Sequence, residues 1–263
     1  INYYLTTSNY LEIYEIDFKS KEKFEELCNL KQPLLIKNFI FNEHELLENF
    51  NLENIVSNYG NFDIKLYNKE NNSIPIFLDF LKASTVFKND NSSNYISENN
   101  HDFLTESSLI KHLQNIDILL RPYGISKINY DIIMGSANSY TNFKYSLNPR
   151  NFLYALNGEL DITLTIPNNK KYLHIEKDYI NNEFYSKIDI HNVTDNFLKD
   201  YSKIKFMKII LNKGDLLYIP SYWFYSIKFS SYDSMLLSFK YDTYMSTVSV
   251  LPEIIQSYLQ NNN

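Results

Sequence analysis

From Ile128 onward the chain runs through one strand-like segment after another, with no helical pattern between them. KINYDIIMG, NFLYALNGELDITLTIP, KIKFMKIILNKGDLLYIP, YSIKFSS and SMLLSFKYDTYM are rich in Ile, Leu, Tyr and Phe and are separated by turns. Such residues suit a pleated, half-buried surface. A succession of strands without intervening helices predicts a sandwich or barrel.

The half before this region alternates. LEIYEID (Leu11–Asp17) reads as a strand, Ser20 as the cap of a helix reaching about Leu30, and PLLIKNF (Pro33–Phe39) as an apolar strand. Helical periodicity runs from Glu43 to about Tyr59. FDIKLYN (Phe62–Asn68) is a strand, IPIFLDFLKAS (Ile74–Ser84) a helix and ESSLIKHLQN (Glu106–Asn115) a short helix. The polar run Lys88–Asp102 is the one low-complexity piece and reads as a surface loop. The tail, Thr247–Gln260, ends in the amphipathic segment LPEIIQSYLQ. The expected organisation is a mixed α/β part (1–125), an all-β core (126–245) and a C-terminal helix (246–263), sharing one structural unit.

Composition narrows the function. The chain has 263 residues, 44% hydrophobic and 21% charged, enough for a sizeable core and against general disorder. Its 23 Tyr and 18 Phe beside only 5 Gly, with abundant Asn, Lys and Ile, point to an AT-rich genome such as that of a large DNA virus or protist. A net charge of −6 and no unopposed basic run disfavour nucleic acid as partner. The single cysteine, Cys28, permits no internal disulfide and no cysteine-based zinc site, and its helical spacing from Phe24 marks a buried hydrophobe. No apolar run reaches the roughly 18 residues of a membrane span. Because the chain begins at Ile1, a signal, anchor or domain upstream is left open. Localisation is therefore unknown, an intracellular or virion setting being favoured over secretion.

Two stretches of the β half carry a resemblance. MGSANSYTNFKYSLNPRNFLYALNGELDITLTIP (Met134–Pro167) and LNKGDLLYIPSYWFYSIKF (Leu211–Phe229) are similar to the two metal-site regions of JmjC/cupin-like dioxygenases of the asparaginyl-hydroxylase type. The likeness covers most of the chain from Leu11 to about Tyr244. It implies a double-stranded β-helix, or jelly roll, with flanking helices and a C-terminal helix. Family members hold Fe(II) with two histidines and a carboxylate, leaving positions open for 2-oxoglutarate and oxygen.

Matched residue by residue, those ligand positions fall on Lys144, Ser146 and Tyr225. An ammonium has no lone pair to give and repels a cation. A serine offers a neutral hydroxyl, and a phenol, with an ordinary pKa of about 10, stays protonated without a metal. Thr141 matches a position that often helps hold the cosubstrate, while the family's strand lysine, expected near Glu159–Asp161, is absent. The resemblance thus implies a fold without its iron chemistry: no catalytic residue, no Fe(II) and no 2-oxoglutarate.

Two readings of the altered site compete. In one, Lys144 replaces the cation and the Tyr225 and Ser146 hydroxyls accept its hydrogen bonds. In the other, a cationic pocket lined by Thr141, Tyr145, Tyr154 and Trp223 binds a small acid without turning it over. A relocated metal site at His174, Glu176 and His191 is a third, weaker alternative, since His-x-Glu triplets arise by chance and ligands need a rigid scaffold. The expectation is a catalytically inactive scaffold with a structural, assembly or protein-binding role and an unidentified protein partner. An Fe(II)/2-oxoglutarate hydroxylase or demethylase with an unorthodox metal site is the enzymatic alternative. The family also suggests homodimerisation through the C-terminal helix.

Overall fold

A computed structural model describes residues 7–39, 46, 48–69, 74–178, 183–251 and 255. Among the described residues, fifteen strands form two sheets. The larger runs in the order β1 (Tyr14–Glu15), β2 (Leu34–Ile36), β13 (Leu216–Tyr218), β8 (Arg150–Asn157), β15 (Met235–Thr243), β6 (Ile125–Gly135), β5 (Tyr95–Ser97), β3 (Asp63–Asn68), β4 (Ile76–Asp79). The smaller runs β10 (Ile175–Asp178), β11 (Glu183–Ser186), β7 (Lys144–Tyr145), β14 (Phe224–Phe229), β9 (Glu159–Thr165), β12 (Met207–Asn212). Every pairing is antiparallel except β1 with β2. Two such sheets facing one another, with flanking helices, make the jelly-roll-like fold that the resemblance implies, within the sandwich or barrel class that the strand pattern predicts.

Strand alternation decides what fills each layer. On β8, Leu153 and Ala155 face the six-stranded sheet and pack with Leu160, Ile162, Leu164, Leu211, Tyr225 and Ile227. Their neighbours Phe152, Tyr154 and Leu156 face the other way, into a second core with Phe24, Cys28, Phe80, Phe103 and Leu113 from the helices. Burial on both faces is why NFLYAL reads as a continuous apolar run. A third cluster, with Phe143, Tyr145, Phe184 and Phe224, covers the outer side of the six-stranded sheet.

Turn chemistry follows the sequence closely. Ser20 caps α1 (Lys21–Cys28) by accepting the Lys23 amide. Gly214 sits at φ 86°, and the buried Asp215 beside it accepts from the Asn212 amide (3.0 Å), the Asn38 amide (3.1 Å) and Lys37 Nζ (2.8 Å). That Gly-Asp turn therefore ties β12 and β13 to the chain leaving β2.

Several expected elements change. Leu11–Asp17 contributes only the two residues of β1, and Pro33–Phe39 only β2. Within Glu43–Tyr59, residues 43–45 and 47 lie outside the described residues, and Leu52–Tyr59 forms a helix (α2) capped by Asn51. Ile74–Ser84 is not one helix: Ile76–Asp79 pairs with β3, and α3 (Phe80–Asn89) starts afresh at an Asp79 cap. Edge pairing captures Ile76, Phe77 and Leu78, three apolar residues that local periodicity assigns to the helix. The helix expected over Glu106–Asn115 is broken at Ser108 (φ 61°) into α4 (His101–Glu106), a 3-10 turn (Leu109–Leu113) and α5 (Gln114–Leu120).

The largest correction concerns Lys88–Asp102. It is no surface loop: it contains β5, and Ser97, Glu98 and Asn100 are buried. After β9, α6 (Leu198–Tyr201) is short, and α7 (Tyr244–Ser249) follows β15 through a capping box at Thr243. Most of LPEIIQSYLQ lies outside the described residues.

Candidate functional site

β7 and β14 are neighbours, and Lys144 stands directly opposite Tyr225. Their sequence neighbours Tyr145 and Phe224 belong to the outer aromatic cluster, so alternation turns Lys144 and Tyr225 inward between the sheets. Tyr225 is 2% exposed and packs with the interior aliphatics and Trp223.

Lys144 crosses the interior. Its Nζ donates to Glu98 Oε2 at 2.7 Å, and the two side chains are only 8% and 6% exposed. Lys144 belongs to the smaller sheet and Glu98 follows β5 of the larger, so one ion pair clamps the two sheets together. A buried ammonium without an anion would be driven to lose its proton, which is why this site needs an acid.

A second carboxylate stands close. Asp131, on β6, accepts the amides of Asn99 (2.8 Å) and Asn100 (2.7 Å). Burial raises its pKa, while the two amides and then the Lys240 and Lys144 charges oppose the rise. Asn100 completes the clip: its Nδ2 donates to Ser97 Oγ (2.8 Å) and Ile132 O (3.0 Å), and its Oδ1 accepts from the Lys65 amide (2.9 Å). The segment bearing Glu98 is thus fixed on both sides before the ion pair is counted.

The other sequence-selected residues separate. Ser146 turns to its own loop, donating to Asn148 Oδ1 (2.5 Å) and accepting the Asn148 amide (3.2 Å). Thr141 is buried and fastens its loop to β14, its Oγ1 accepting from the Ile227 amide at 3.0 Å. Tyr145 points outward, stacked on Phe184 at 5.1 Å and hydrogen-bonded by Lys170 Nζ at 3.2 Å. Tyr154 lies in the helix-side core, 6.4 Å from the ring of Phe39. Neither ring faces Lys144. Trp223 is fully buried between the sheets, and its Nε1 has no partner among the described residues.

His174, Glu176 and His191 are not brought together. His174 Nε2 pairs with Asp200 Oδ2 (2.9 Å), Glu176 faces Lys187 at 4.0 Å, and His191 Nε2 meets Ser226 Oγ (3.2 Å) beside the Tyr140 ring. Among the described residues, no three His, Cys, Asp or Glu side chains converge as metal ligands.

Sequence reasoning did not single out Glu98 or Asp131. One signal was present: a lysine at an interior strand position demands a buried acid, and Tyr95-Ile96-Ser97 beside Glu98 has strand character. Comparison with known proteins gives one clear result. No curated protein matches the chain, whereas the family model for the Cupin-like domain matches residues 20–247, most of its length. The chain belongs to the Cupin-like domain family.

Proposed function

We propose that this protein is a catalytically inactive Cupin-like scaffold whose Lys144–Glu98 ion pair stands where related folds carry a metal, leaving the jelly roll to a structural or protein-binding role. The observation that carries this reading is the 2.7 Å contact between Lys144 Nζ and Glu98 Oε2 in the closed interior. The donors present do not fit Fe(II). An ammonium repels the cation, a phenol is a poor ligand while protonated, and the Ser146 hydroxyl is engaged by Asn148. Glu98, which would be the nearest anionic donor, is already engaged by Lys144. No oxidative step is derived for such a set.

Purified protein is expected to hold no stoichiometric iron. Added Fe(II) with 2-oxoglutarate should neither raise the melting temperature nor consume 2-oxoglutarate. Tight Fe(II) binding or uncoupled turnover would replace this reading by the hydroxylase alternative.

A second reading, a metal-free binder of small acids, has its own observation. Trp223 Nε1, Asn151 Nδ2 and Oδ1, and Ser238 Oγ are buried without partners among the described residues, and Asn151 and Ser238 alternate inward on β8 and β15. Isothermal titration with short dicarboxylic acids separates the two: saturable heat with wild type that disappears in Asn151→Leu selects the binder.

A further inference from the structure

Where α1 ends and β8 begins, a cavity of about 210 Å³ opens on the helix-covered side of the nine-stranded sheet. Its charged and polar lining is Lys31, Arg150, Glu25, Asn29, Ser221 and Thr243, drawn from four separate stretches of chain. None of these residues belongs to the Lys144 site.

Arg150 is held in place. Its side chain is 8% exposed, Nη2 donates to Glu25 Oε2 (2.9 Å) and Asn29 Oδ1 (2.7 Å), and Nη1 donates to Pro149 O (3.2 Å). Its Nε is buried with no partner among the described residues. A guanidinium has five N–H groups, so this clamp leaves donor capacity unspent.

Lys31 is held by backbone. It takes the left-handed conformation (φ 54°), unfavourable for a residue with a Cβ, at the close of α1. Its amide donates to Cys28 O (3.1 Å) and its carbonyl accepts from the Ser8 amide (3.3 Å) and Thr7 Oγ1 (3.3 Å). Burial pushes the Lys31 amine down to about 8, and the Arg150 charge adds to that push. Cys28, next to both, stays a neutral thiol because burial raises it. The lining therefore sets two cations against one carboxylate, Glu25. Neutral donors complete it: Ser221 is buried, and Thr243 Oγ1 accepts from the Ser246 amide (3.1 Å), leaving its O–H to donate.

We infer that this cavity binds a phosphate group, free or on a small ester, between Lys31 and Arg150. Glu25 offsets one of the two cations, and a tetrahedral phosphate answers the remaining positive charge while presenting oxygens to several donors at once, whereas a carboxylate offers only two oxygens. A bound dianion would also relieve the repulsion that Lys31 feels from Arg150.

The test uses the full chain and compares inorganic phosphate, glycerol phosphate and acetate with chloride at constant ionic strength. Melting temperature gives binding, and pH-dependent acetylation of Lys31, read by peptide mass spectrometry, gives its protonation. Inorganic phosphate is expected to raise the melting temperature saturably. It should also slow Lys31 acetylation near pH 8 by about fivefold, the fall in free amine that one restored pKa unit gives there. Glycerol phosphate acting as strongly identifies an ester ligand; inorganic phosphate acting alone identifies the free ion. Lys31→Met should weaken binding by about tenfold or more, as loss of a charge-assisted contact does. Ser221→Ala, which leaves both charges in place, should weaken it less, and Lys177→Met, remote from the cavity, should leave it unchanged. Absence of a saturable shift, an equal response in Lys31→Met, or acetate matching phosphate overturns the proposal.

Discussion

Replacing Lys144 by methionine keeps an unbranched side chain, one atom shorter, and removes its charge, so Glu98 is left as a carboxylate at 6% exposure without the Lys144 ammonium. Removing one member of a buried ion pair typically costs ~3–5 kcal/mol, because the remaining charge has neither water nor counter-ion. Asp131 is affected in the same direction, since the Lys144 charge is among those that oppose the burial-driven rise of its pKa. Lys144→Met is therefore expected within that range. Replacing both partners, Lys144→Met with Glu98→Met, removes the charges together and should return stability to within ~1 kcal/mol of wild type, or above it. The coupling energy from equilibrium urea unfolding of wild type, both single variants and the double variant measures the pair directly. The sign of the pH effect adds a check. In Lys144→Met the buried Glu98 lacks the Lys144 charge, and burial then favours its protonated form in the native state. The deficit of that variant should shrink as pH falls toward the ordinary carboxylate range and widen as pH rises. A Lys144→Met cost below ~1 kcal/mol, or a double variant as unstable as the sum of the singles, would refute the clamp.

Other expectations follow from particular residues. Cys28 is wholly buried and burial raises its thiol pKa, so it should not react with a disulfide reagent until the protein unfolds. Lys69 is pushed down to about 8, chiefly by burial, so at that pH about half of it is free amine against under ~1% of an ordinary lysine, and it should acetylate well ahead of the exposed lysines. Uniform labelling would contradict that burial. Gly124→Ala and Gly158→Ala both force a side chain onto a positive φ (67° and 73°), at ~1–2 kcal/mol. A Cβ at Gly124 meets nothing within 4 Å, whereas one at Gly158 meets Ser234 Cα at 2.9 Å, so Gly158→Ala should cost at least ~1 kcal/mol more in thermal or urea unfolding.

The layered β architecture is legible along the chain. Alternating and continuous apolar runs after Ile128 specify strands buried on one face or both, and period two sets Lys144 on the opposite face from Tyr145 and Tyr225 on the opposite face from Phe224, while the pairing of the two strands puts Lys144 and Tyr225 on the same side. Turn chemistry was equally local: Gly214 and Asp215 announce the turn they make, and Ser20 the helix it caps. What only the tertiary structure decided was the company each residue keeps. Ile76–Asp79 became a strand because β3 offered an unpaired edge, a benefit invisible to helical periodicity. Glu98 sits in a run of Asn, Ser and Asp whose composition signals solvent, yet it is buried 46 positions before the lysine it neutralises. Composition and propensity report on neighbours along the chain. An ion pair that crosses between two sheets exists only once both sheets have packed and excluded the water that would otherwise satisfy each charge alone.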